Sequence, residues 1–175
     1  MKTISVHPLE HATFDAYGWV LGASPADAEP SRRFLSPATD FWSARAFDTG
    51  AAGQTEVLWV IYRSGERVVD SLEVHHLTEQ AIIPLTGSII QIVARGAEGG
   101  GAPNLSTLAA FRVAPGQGIS MRRGCWHTTR VPAGEVRCAM LTRRSTTLDL
   151  VAHLVHGAPA VESAVLPITA HVWQG

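Results

Sequence analysis

From Phe41 onward the chain reads as a succession of short β-prone runs: FWSARAF, TEVLWVIYR, ERVVDSLEVHH, EQAIIPL, SIIQIVARG, STLAAFRV, GISM, HTTRV and EVRCAMLTRR. Glycine and proline divide many of them at short intervals, the pattern of an antiparallel sandwich or barrel. No alternation of strand and helix appears, which argues against a parallel sheet. Ahead of this region, His7 to Gly18 predicts a short helix, with Thr13 as N-cap and Gly18 as stop. Ala23 to Asp40 carries Pro25, Pro30 and Pro37 and is expected to be an irregular crossing loop. GAEGGGAPN (96–104) is expected to be a solvated hairpin loop or a mobile flap. LDLVAHLVH fits a helix or a final strand equally well. The tail VLPITAHVWQG is apolar, so Val172 and Trp173 are expected to pack on a neighbouring subunit or back on the barrel.

Composition narrows the class. At 175 residues with 46% apolar and 17% charged content, the chain is expected to be one globular domain, 1–175. A net charge of −1 gives no basic footprint for nucleic acid or an anionic membrane. The start MKTISVHPLEHATF has no apolar core of a signal peptide, and no run is long enough to span a bilayer. Cys125 and Cys138 are too few for a disulfide framework. A reducing cytoplasm is the expected setting.

The candidate chemistry lies in two stretches. SLEVHHLTEQAIIPLTG (71–87) places Glu73 and His75 two residues apart, on one face of a strand, with His76 on the other and Gln80 close behind. GQGISMRRGCWHTTR (116–130) supplies Trp126 and His127 after a glycine-punctuated run. A carboxylate, two imidazoles and an amide form a polar cluster suited to a metal or a substrate oxygen. Each residue also has a plain structural reading. Glu73 and His75 fit a half-buried ion pair, His127 a hydrogen-bonded core histidine, and Gln80 a backbone-bonding amide. Arg122 and Arg123 fit a substrate-carboxylate clamp or a solvated pair. Cys125 reads as inert packing and Trp126 as core.

The spacing Glu73-x-His75, then Gln80 and Gly87, resembles the first cupin motif, with Glu73 in the usual place of the first histidine and Gln80 in that of the glutamate. Gly116, Arg122-x-Gly124 and His127 resemble the second motif, with Arg122 in the usual place of proline. The phrases FDAYG, LEVHHLTEQAIIPLTG, PNLSTLAAFRVAPGQGISMRRGCWH and EVRCAMLTRRS resemble the ureidoglycolate lyases, often labelled hydrolases. That resemblance implies an all-β, cupin-like antiparallel barrel of jelly-roll type, with a short N-terminal helix and few others. It implies an amidine-type carbon–nitrogen lyase that splits ureidoglycolate into urea and glyoxylate in purine-nitrogen (allantoin) catabolism, acting as a cytoplasmic homodimer. Glu73, His75 and His127 would be catalytic, Gln80, Arg122 and Arg123 substrate-binding. Glu73, His75, Gln80 and His127 would be the ligands of a divalent metal (nickel, manganese or zinc). The family often has tyrosine and histidine where Met121 and Arg122 stand, and a second histidine where Thr128 stands. Two other readings are a cupin isomerase of sugars or keto acids, and a non-catalytic cupin that binds a small molecule.

Overall fold

The computed structural model describes residues Met1–Gly175. In chain order the elements are β1 (Lys2–Pro8), α1 (His11–Phe14), β2 (Gly18–Leu21), β3 (Arg33–Phe34), β4 (Phe41–Trp42), β5 (Thr55–Tyr62), β6 (Val68–His75), β7 (Gln80–Pro84), β8 (Ile89–Ala94), β9 (Ala109–Val113), β10 (Gly118–Met121), β11 (Trp126–Arg130), β12 (Val136–Arg143), α2 (Arg144–His156) and β13 (Ser163–Gln174). Six strands close into a barrel in the order β1-β13-β6-β11-β8-β9, and a five-stranded sheet, β2-β10-β7-β12-β5, forms a second layer.

Two apolar clusters explain this layering. One fills the barrel with Ile4, Leu72, Val74, Ile92, Trp126 and Trp173 among its members. The other lies between barrel wall and second sheet and includes Phe14, Ile82, Val93, Phe111, Ile119 and Met140. Strand β8 serves both. Ile90, Ile92 and Ala94 turn into the barrel while Ile89 and Val93 turn toward the sheet, and all six of its residues are buried. That double burial is why its sequence is a continuous apolar run instead of an alternation.

The expectation of an all-β barrel with few helices holds. One pairing pattern departs from the antiparallel expectation: β1 runs parallel to both β13 and β9, and so closes the barrel. The expected helix from His7 shrinks to His11–Phe14, because β1 takes His7 and Pro8. Thr13 lies inside that helix and donates to the Glu10 carbonyl at 3.2 Å instead of capping. Gly18 starts β2, where a Cβ would meet the Ser120 carbonyl oxygen at 2.1 Å, so close strand approach demands glycine. The expected strand FWSARAF contracts to Phe41–Trp42, paired with Arg33–Phe34 from within the proline-rich loop. The ambiguous LDLVAHLVH is helical, and Gly157 ends α2 in the left-handed conformation. The glycine-rich segment is an exposed loop pinched by a bridge between Gly96 and Pro103. The tail packs back on the barrel as β13. No helix is long and apolar enough to cross a membrane.

Candidate active site

Backbone register builds the site. On β6, Leu72 and Val74 fill the barrel, so Glu73 and His75 face the second layer. Strand β11 pairs with β6 so that His127 stands directly opposite Glu73, close enough for side-chain contact. The donor atoms of Glu73, His75 and His127 lie within 4.8 Å of one another. Their two imidazoles meet edge-on at 5.2 Å between centroids. Gln80 arrives from the facing sheet, at the start of β7, with its amide nitrogen 2.9 Å from Nε2 of His75. The four residues quoted from the two motifs therefore meet. His76 is exposed, and Trp126 is barrel core.

Each ring is oriented by a second contact. His127 Nδ1 lies 2.9 Å from the Cys125 carbonyl oxygen, an acceptor only, so Nδ1 carries the proton. Its Nε2 lone pair then faces Glu73 Oε1 at 3.3 Å. That nitrogen is buried and makes no aligned hydrogen bond. Two acceptors facing each other require a cation between them, either a proton or a metal ion. His75 Nδ1 is held at 3.0 Å by the Ser163 hydroxyl of β13. Ser163 was invisible in the sequence, since nothing near it resembles a motif and its role comes only from register with His75.

Electrostatics divide the roles. Burial, then the neighbouring His127, pushes His75 down to about 4 despite the pull of Glu73, so its imidazole is neutral near pH 7. Burial opposes ionisation of Glu73, but contact with His127 and the charges of His127 and His75 outweigh it, leaving the carboxyl below its ordinary value. Its side chain is 36% exposed, against 3% for His127, so Glu73 is the member reachable from solvent. Burial raises Cys125 to about 12, which leaves an inert thiol, as its packing role implies.

The donor set fits a divalent metal. Two imidazoles and a carboxylate supply three ligands, and the orphaned Nε2 of His127 is the strongest sign of a missing cation. Gln80 competes for His75 Nε2 in the arrangement seen, and its amide must turn its oxygen inward to join such a site. Glu79, next in sequence, is not available as a substitute ligand because it is ion-paired with Arg45 and contacts Ser120. Gln80→Glu is expected to tighten manganese binding about tenfold or more by calorimetry, because it adds a full negative charge beside the triad. Equal affinity in the two proteins would show that Gln80 stays outside the coordination sphere.

Neighbouring groups hold the guanidinium forks of both Arg122 and Arg123. Arg122 donates to the Asp15 carbonyl at 2.9 Å and stacks on Trp19 at 4.0 Å. Arg123 pairs with Asp48. With Tyr17, Arg95 and Gly124 they line a hollow of about 130 Å³. An apolar cavity of about 180 Å³, lined by Leu21, Phe47, Ile83 and Leu141 among others, lies on the outward side of the second sheet.

Residues 1–162 match the family model described as ureidoglycolate lyase. The chain belongs to the ureidoglycolate lyase family. A putative ureidoglycolate lyase of Agrobacterium fabrum is 30% identical over 146 residues, covering 80% of this chain and 83% of that one. A ureidoglycolate lyase of Burkholderia mallei is 30% identical over 140 residues, covering 78% and 79%. Among solved structures, a dTDP sugar isomerase from Desulfovibrio desulfuricans aligns with a TM-score of 0.44 and 13% identity over 78% of this chain and 80% of that one. Membership of the ureidoglycolate lyase family implies a lyase that handles a small molecule. The family match stops at Glu162, one residue before β13, so Ser163 and the barrel-closing strand lie outside it.

Proposed function

We propose that this chain cleaves ureidoglycolate to glyoxylate and urea by acid–base chemistry centred on Glu73 and His127. The observation that carries the reading is the 3.3 Å approach of a partly exposed carboxylate to a buried imidazole nitrogen that lacks any other partner. Ureidoglycolate is a carbinolamide, one carbon bearing a carboxylate, a hydroxyl and the urea nitrogen. Glu73 takes the hydroxyl proton as the carbon–nitrogen bond breaks and the carbon–oxygen double bond forms. His127 Nε2, protonated, gives its proton to the departing urea nitrogen. The proton on Glu73 then returns to the adjacent imidazole and restores both groups. Neutral His75, fixed by Ser163, holds Gln80 against the reacting end. A base and an acid so placed contribute roughly a hundred- to ten-thousandfold each.

In a metal-loaded form, alternative to the acid–base form because the ion would take the place of the proton on His127 Nε2, Glu73, His75 and His127, with Gln80 after rotation of its amide, would hold a divalent metal. Such an ion would supply Lewis-acid stabilisation to the developing oxyanion. The ion pairs of Arg122 and Arg123 are exposed, so solvent screens them and either can be exchanged at little cost for a substrate carboxylate. They remain the proposed clamp.

The deciding measurement is release of glyoxylate and urea from each enantiomer of ureidoglycolate, with nickel, manganese and zinc supplied in turn. Stoichiometric release supports the lyase reading. No release from either enantiomer sinks it.

The proposed assembly is a homodimer formed through the outward face of β5. Val57 and Trp59 are each 66% exposed there, and α2 adds Leu148, Leu154 and Val155 at 60%, 70% and 67%. A second copy of the same surface would cover these side chains symmetrically. Trp59→Glu is therefore expected to shift sedimentation from dimer to monomer at micromolar concentration. A wild-type monomer, or an unaltered dimer in the variant, would refute this interface.

A further inference from the structure

Strand β5 carries a carboxylate that none of the motifs includes. Its alternation turns Val57 and Trp59 outward, while Leu58, Val60 and Tyr62 pack on the core between the two layers. Glu56 lies on the same side as those three. In register, Glu56 stands opposite Thr142, which is 2% exposed. Thr142 lies one residue beyond the last pairing of β12 with β7, Leu141 with Ala81, and so falls beside Gln80. Glu56, Thr142 and Gln80 thus form one polar row across three neighbouring strands, spanning about 10 Å of sheet. The next row inward, Leu58, Met140 and Ile82, is wholly apolar. Gln80 at one end of the polar row touches the triad through His75.

At the other end, Oε1 of Glu56 is buried and has no hydrogen-bond partner. No cation neutralises it: the nearby Arg143 is committed to Glu162, Ser145 and the carbonyls of Thr49 and Ala51. A buried carboxylate oxygen without donors is unfavourable for the fold, and its retention in a polar row that ends at the triad points to a ligand that brings donors. The base role is filled by Glu73, so Glu56 is free for recognition. A ureido group, a carbonyl flanked by one N–H and one terminal amino group, offers two parallel N–H donors with the fork geometry that a carboxylate accepts.

We propose that Glu56 recognises the ureido end of the substrate, accepting its paired N–H groups while the carbinol carbon lies at the triad. The assignment rests on the lyase reading and names the group that selects a ureido acid over other hydroxy acids.

The test uses Glu56→Gln, which keeps shape but turns one acceptor oxygen into a donor, and Glu56→Asp, which keeps the carboxylate but withdraws it. The binding probe is N-carbamoylglycine, a ureido acid that lacks the hydroxyl and cannot be cleaved. Calorimetry should show its Kd raised about tenfold or more in Glu56→Gln and less in Glu56→Asp. Glycolate, which has no ureido group, should bind all three proteins alike. KM for ureidoglycolate should rise in parallel with kcat changed less than about threefold, and the thermal midpoint should not fall, because no native partner is lost. Unchanged affinity of Glu56→Gln for N-carbamoylglycine overturns the assignment, as do equal losses for glycolate, a lowered midpoint, or a wild-type protein that does not bind the probe. Wild-type binding without glyoxylate release, with the selective loss in Glu56→Gln, upholds Glu56 and removes the lyase reading alone.

Discussion

Replacing Glu73 with Gln is expected to lower kcat for ureidoglycolate by about a hundredfold or more, with KM moved little and the fold intact. The substitution keeps the size and planarity of the side chain but removes the oxygen able to take the carbinol proton. Glu73 is the member of the triad reachable from solvent, 36% exposed, so exchanging it leaves no void in the core. The amide can still donate to His127 Nε2, which relieves the confrontation of acceptors seen in the native site. A thermal midpoint close to wild type would accompany the loss of turnover. If kcat fell less than about threefold, Glu73 would be a structural partner of His127 and the base would have to be sought elsewhere.

The meeting of Glu73, His75, Gln80 and His127 was legible in the sequence because they sit on strands whose pattern is local. The two-residue step from Glu73 to His75 fixes their shared face whatever the fold, and Gln80 and His127 follow at motif spacing. What could not be read is what depends on register between distant strands. Ser163 meets His75, and Glu56 falls in line with Gln80, only through pairings between strands far apart in the chain. The arginines show the complementary limit. Spacing put them near the site, but Asp15, Trp19 and Asp48, none of which the motif contains, decide where their guanidinium groups lie.

The fold divides in the same way. EVRCAMLTRR became β12 as its alternation implies, since one face packs on the core and the other does not. The place of β1 could not be read from the sequence, because it is held by parallel pairing with β13 and β9, near the other end of the chain and in its middle. Parallel pairs need long crossovers and leave no hairpin signature. Proline and glycine spacing therefore located turns in both layers but said nothing about barrel closure.

The largest expected loss of stability comes from that closure. Trp173 is 2% exposed and packs inside the barrel with Ile4, Leu72 and Trp126. Its indole N–H donates to the Glu66 carbonyl at 2.9 Å, its backbone N–H to the Arg67 carbonyl at 3.0 Å, and Arg67 covers the ring at 5.0 Å. Ile4 of β1 is its register partner, so one side chain secures both terminal strands. Trp173→Ala removes the ring and leaves a cavity, at a cost of about 3–5 kcal/mol. That is a large part of the roughly 5–15 kcal/mol typical of a domain. Urea unfolding monitored by far-UV circular dichroism should show the midpoint fall accordingly. Trp173→Phe, which keeps most of the volume but leaves the Glu66 carbonyl without its donor, should lose about 1–3 kcal/mol. Because β13 also carries Ser163, the alanine variant should loosen His75 and reduce activity even where the protein stays folded. A loss below about 1 kcal/mol in Trp173→Ala, against the cavity cost expected for a buried aromatic, would mean that β13 is not the strand that holds the barrel shut.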